Sequence, residues 1–127
     1  MDYIDNIIGL QHIGIPVKDV MATANFYENI GFVKKGEYIN GADKVCFLEL
    51  KSIMVELYEE STAYAASGAI NHFAINVKDI NEAYKSIRKK NVKVVEPIKK
   101  LLFWDNGIRF FIIEGINGER IEFSQYL

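Results

Sequence analysis

The chain has 127 residues, half of them hydrophobic and a quarter charged, with a net charge of −2 at pH 7. That length suits one domain able to bury its own core, and the near-balanced charge gives no electrostatic footprint for nucleic acid. No apolar run approaches the ~18 residues that span a bilayer, no basic–apolar leader opens the chain, and the lone Cys46 cannot close an internal disulfide, so a cytoplasmic protein without membrane partners is expected.

The first element begins at His12. Ile13, Ile15 and Val17 alternate as one face of a strand, and Asp19 stands where an N-cap would open a helix from Val20 to about Ile30. Gly31 suits the left-handed residue that ends a helix. Strand-like sequence follows at Phe32–Lys35, Lys44–Leu50 and Ser52–Tyr58, with Asn40-Gly41 as a turn. Glu60–Ala69 is small and polar enough for a linker or a short helix.

The order then repeats. Phe73, Ile75 and Val77 form the apolar face of a strand opening at His72, Asp79 caps a helix from Ile80 to about Lys90, and Asn91 ends it. Val92–Glu96, Gly107–Ile113 and Glu119–Gln125 are strand-like, with tight turns expected at Asn106-Gly107 and Asn117-Gly118. The nonapeptide from His12 to Val20 matches that from His72 to Ile80 at five of nine positions, offset by 60. The expected architecture is therefore α+β, a single domain over 1–127 made of two βαβββ modules at about 4–59 and 70–127.

Strand parity selects four residues. His12 and His72, the two histidines of the chain, lie opposite the apolar faces of their strands. In Ser52–Tyr58 the apolar set Ile53, Val55 and Leu57 leaves Glu56 on the other face with Met54 and Tyr58. In Glu119–Gln125 the pair Ile121 and Phe123 leaves Glu122 there with Arg120 and Ser124. Taken singly, each is open to a structural or solvated reading, Glu122 as a partner of Arg120 or a lysine for instance. Taken together, two imidazoles and two carboxylates suit one divalent ion (Ni, Co, Zn, Fe or Mn) with positions open to water or substrate.

The run His12-Ile-Gly-Ile-Pro-Val-Lys-Asp19, leading into Asn25-Phe-Tyr-Glu28 and Ile30-Gly-Phe32, resembles the opening of vicinal oxygen chelate modules. Asn117-Gly-Glu-Arg-Ile-Glu-Phe123 resembles their closing strand. The resemblance covers nearly the whole chain and implies two modules whose curved sheets enclose a metal site, commonly within a homodimer. The order His12, Glu56, His72, Glu122 is most similar to bacterial glyoxalase I, the lactoylglutathione lyases. Two positions depart from it. Pro16 stands where that family commonly has an arginine, and Glu60 where it commonly has an asparagine.

The chemistry so implied is a glyoxalase-type lyase or isomerase, moving a proton next to a carbonyl through a metal-chelated enediolate. Glu122 is the first choice of base and Glu56 the second. Arg109, Trp104 and Tyr58 are candidates for contacting a small-molecule substrate, with a surface salt bridge or packing as the alternative roles. Cys46 reads as a small buried hydrophobe. Competing readings are an acyl-CoA epimerase or thiol transferase on the same fold, and a non-catalytic protein that sequesters a small molecule or antibiotic.

Overall fold

The computed structural model describes residues 3–63, 66, 68 and 70–127. After a short helix α1 (Tyr3–Asn6), the first module runs β1 (Ile13–Val17), α2 (Val20–Asn29), β2 (Val33–Asn40), β3 (Asp43–Leu50) and β4 (Ile53–Glu59). The second runs β5 (His72–Asn76), α3 (Ile80–Arg88), β6 (Lys93–Leu101), β7 (Ile108–Glu114) and β8 (Arg120–Tyr126). Each module folds into one four-stranded mixed sheet, ordered β1-β4-β3-β2 and β5-β8-β7-β6. In both, the first strand pairs in parallel with the last and the other pairs are antiparallel.

The helix boundaries follow from local chemistry. Asp19 accepts a hydrogen bond from the Ala22 amide at 3.0 Å, and Asp79 accepts from Asn81 and Glu82 at 3.0 and 3.1 Å. Each cap satisfies backbone donors that have no partner inside the helix. Gly31 (φ 111°) and Asn91 (φ 57°) both take up positive φ beyond the helix ends, as their residue types anticipate. Both modules contribute to one apolar cluster. Ile15, Val17, Val55, Leu57 and Leu48 come from the first sheet and Ile75, Phe111, Ile113, Ile121 and Phe123 from the second. Burying each such side chain contributes roughly 1.5–3 kcal/mol, so the helix-packed face sets the register of every strand.

Three boundaries differ from those read in the sequence. β2 continues past Lys35 through a bulge at Lys34/Gly36, and β6 continues past Glu96 through irregular pairing around Pro97. Gly36 and Pro97 look like strand breakers, but β2 and β6 are edge strands, where a bulge or a missing N–H donor is tolerated. The Asn106-Gly107 turn is the end of a longer connection, residues 102–107, in which Trp104 has φ 61°. The linker expected over Glu60–Ala69 lies partly outside the described residues. Its start is a turn in which the Ala63 amide donates to the Glu60 carbonyl at 3.0 Å.

The registers also locate the length difference between modules. The second strands begin 60 residues apart, at Val33 and Lys93. Their partners Glu49 and Glu114 are 65 apart, and Glu56 and Glu122 on the last strands are 66 apart. Four extra residues therefore sit in the β6–β7 connection, one in the irregular strand β6 and one in the β7–β8 turn.

Candidate metal centre

Parallel pairing of the first and last strands builds each half of the site. Glu56 lies opposite Gly14 in the β1–β4 ladder, and Glu122 lies opposite Ala74, the residue 60 positions on, in the β5–β8 ladder. The histidine two residues earlier in each first strand then shares a face with the glutamate. His12 Nε2 is 3.4 Å from Glu56 Oε1, and His72 Nε2 is 3.6 Å from Glu122 Oε1. The alternating apolar residues of all four strands point the other way, into the core.

The second ring nitrogen of each histidine is held as well. His12 Nδ1 is 3.0 Å from Gln11 Oε1, and His72 Nδ1 is 3.1 Å from Asn71 Oδ1. An amide oxygen only accepts, so this contact suits a ring with a proton on Nδ1, which when neutral presents Nε2 as a ligand. The 3.4 and 3.6 Å gaps exceed the ~2.7–2.9 Å of a charge-assisted hydrogen bond. They match the ~3.4 Å that separates two ligands each ~2.1 Å from one tetrahedral ion. The donor set and its outer support therefore fit a divalent metal. Gln11 and Asn71 were not singled out in the sequence, although the signal was there: carboxamides stand immediately before both histidines.

The two halves remain separate within one chain. Among the described residues, no group of three or more His, Cys, Asp or Glu side chains comes within metal-binding reach. β1 and β5, which carry the site's first residues, are the outer strands of their sheets.

The surroundings of the halves differ. Beside His72 and Glu122 lies a groove of about 440 Å³ walled by Leu101, Phe103, Trp104, Ile108 and Tyr126, with Asn76 and Ser124 as its other polar side chains. Trp104 and Tyr126 meet edge to face at 6.0 Å. Beside His12 is a groove of about 330 Å³ formed with Lys35, Tyr38, Phe47 and Met54, in which Phe47 meets the His12 ring edge-on at 5.7 Å. Trp104 lines the groove beside His72 and Glu122. Tyr58 has its ring near Gly14 and lines a larger groove with Pro16, Glu60 and His72.

Arg109 is not brought to the site. It occupies the alternate parity to Phe110, pairs with Gln125 in the ladder, and donates to Asn81 Oδ1 of α3 at 3.2 Å. Gln125 itself accepts from the Ile80 amide at 2.8 Å, which marks this as the helix side of the sheet. Arg120 pairs with Glu114 at 3.4 Å and leaves Glu122 to His72. Cys46 is buried, and burial foremost, then the charge of Glu37, raises its thiol pKa, consistent with an inert packing role.

Sequence and structure comparisons identify the family. The family profile described as "Glyoxalase/Bleomycin resistance protein/Dioxygenase superfamily" matches residues 9–123. The chain belongs to that superfamily. It is 33% identical to the uncharacterized protein YwbC of Bacillus subtilis (strain 168), over 91% of this chain and 96% of that one. It is 24% identical to the mitochondrial methylmalonyl-CoA epimerase of Dictyostelium discoideum, over 96% of this chain and 84% of the relative. Among solved structures, a glyoxalase family protein from Enterococcus faecalis superposes with a TM-score of 0.78 at 22% identity, covering 94% of this chain and 98% of that one. The fosfomycin resistance protein FosX from Listeria monocytogenes superposes with a TM-score of 0.75 at 19% identity, covering 95% of each. These structural matches bear on the fold. No helix among the described residues is long and apolar enough to cross a membrane.

Proposed function

We propose that this superfamily member is a metal-dependent lyase or isomerase of glyoxalase type, which moves a proton next to a carbonyl. The observation that carries this reading is the duplicated His–Glu pair, each with its Nδ1 held by a carboxamide and its Nε2 turned to the glutamate. The relative named as an epimerase supports the same class of chemistry, since epimerisation is also proton transfer at such a carbon.

His12 and Glu56 supply half of the ligand set, and the partner's His72 and the partner's Glu122 supply the other half. The separation of the pairs within one chain favours a homodimer that closes two such sites. A divalent ion held by these residues would supply Lewis-acid stabilisation to the substrate's oxygens. Glu122 takes the proton and returns it. Its side chain is the drier of the two carboxylates, 15% exposed against 27% for Glu56, and it stands beside an apolar wall. Glu56 is the second candidate. Pro16 and Glu60, which line the groove beside Tyr58, replace the arginine and asparagine common in glyoxalase I, and so speak against glutathione as the thiol.

Elemental analysis after stripping and reloading with Zn²⁺, Ni²⁺, Co²⁺ or Mn²⁺ tests this function. The expected result is one ion per chain, weakened in Glu122→Gln. Absence of stoichiometric binding for every ion would overturn the reading in favour of a sequestering protein.

A further inference from the structure

The two halves of the site are alike in their ligands and unlike in their walls. In the first module β2 and β3 are joined by the two-residue turn Gly41-Ala42, whereas in the second β6 and β7 are joined by residues 102–107. The added residues place Phe103 and Trp104 beside His72 and Glu122, with Leu101, Ile108 and Tyr126 completing an apolar wall. Trp104 is 74% exposed and Tyr126 60% exposed.

The conformation of this loop adds a second observation. Trp104 has φ 61°, a region that bulky L-residues rarely adopt and that costs of order 1–3 kcal/mol. No burial in the core repays that strain, since the ring lies in the open groove.

Charge supplies the third. Among the described residues no lysine or arginine lines the groove beside His72 and Glu122, and Arg120, in the neighbouring groove with His72, is paired with Glu114. The first half has Lys35 alone, and its Nζ already lies 3.7 Å from Glu49. Among the described residues, an anionic conjugate such as a glutathione or CoA thioester has no unpaired cation to meet there.

From these we infer that the β6–β7 insertion is the specificity element of the site, and that the substrate is a small molecule whose vicinal oxygens face the metal while an uncharged aromatic or branched apolar group stacks on Trp104 and Tyr126. This rests on the proposed metal site and names the class of substrate it takes. An apolar face on a flat ring recovers both buried area and ring-edge attraction, which a carboxylate or phosphate would lose to desolvation.

The test uses hydroxamates, which present two vicinal oxygens, on the Zn²⁺-loaded full-length protein by titration calorimetry. Benzohydroxamate is expected to bind about tenfold tighter than acetohydroxamate, and 4-carboxybenzohydroxamate about tenfold weaker than benzohydroxamate. Trp104→Gly removes the ring and suits the positive φ, so the loop keeps its path. It should bring benzohydroxamate to within about twofold of acetohydroxamate. Phe103→Ala should reduce the difference in the same direction. Equal binding of acetohydroxamate and benzohydroxamate, or an unchanged ratio in Trp104→Gly, overturns the inference and leaves the metal site standing. Failure of the protein to retain Zn²⁺ overturns both.

Discussion

The Tyr27 hydroxyl in α2 of the first module donates to Glu119 Oε2 in the β7–β8 turn of the second, across 92 residues of chain and 3.0 Å. Glu119 Oε1 also accepts from the Asn117 amide at 2.9 Å, and the Asn117 side chain donates to Thr23 Oγ1 at 3.0 Å. With Asn29 donating to the Lys90 carbonyl at 3.0 Å, these bonds tie α2 to the second module. They fix how the two half-sites are carried relative to one another. The turn concerned leads directly into the strand that holds Glu122.

Tyr27→Phe should therefore lower stability by ~1–2 kcal/mol, the usual cost of losing a hydrogen bond to a charged acceptor in a buried setting. Burial foremost, then the charge of Glu119 and its hydrogen bond, hold the Tyr27 pKa well above the usual tyrosine value. A raised phenol pKa contributes stability that is fully present below pH ~10 and is lost as pH rises through the folded-state value. Urea melts across pH 7–11 should show the difference between wild type and Tyr27→Phe shrinking at the alkaline end. A constant difference would argue against the bond.

Gln11→Ala and Asn71→Ala should each weaken Zn²⁺ binding by about 10–100-fold while leaving the far-ultraviolet circular dichroism unchanged. Each carboxamide fixes the ring that carries a ligand nitrogen without itself touching the ion. Competition against a chromophoric chelator gives the affinity. The two substitutions should act alike, because the two halves share one geometry.

Co-expression decides whether the site spans two chains. His12→Ala and His72→Ala should each abolish tight Zn²⁺ binding alone. In a mixed dimer, one site combines both lesions and the other combines two intact halves, so about one ion per heterodimer should return. Differently tagged chains purified in tandem supply the sample. No recovery of metal would place each complete site within a single chain.

Helix ends offer a check on the fold itself. A Cβ added at Gly31 would meet nothing nearer than the Leu50 side chain at 3.8 Å, so the cost of Gly31→Ala is conformational and should be ~1–2 kcal/mol. Asn91→Gly, at the matching position 60 residues on, should be neutral or stabilising by up to ~1 kcal/mol. Thermal melts of both variants test the pair.

Strand parity, the aspartate caps and the 60-residue repeat are local properties, so the two βαβββ modules and the face carrying His12, Glu56, His72 and Glu122 could be read directly from the chain. Each polar candidate interrupts an apolar alternation that only one sheet face can satisfy. β7 gave no such signal. Ile108, Phe110, Phe111, Ile112 and Ile113 are apolar on both faces, and so the side on which Arg109 projects was settled only by pairing with Gln125 and packing against α3. The Gln11 and Asn71 contacts depended on side-chain rotamers, and the placement of Trp104 on the path of a six-residue connection. The separation of the two His–Glu pairs is a matter of how whole modules pack. No periodicity encodes that, because the buried contacts between Tyr27 and Glu119 join residues that have no local relation in the chain.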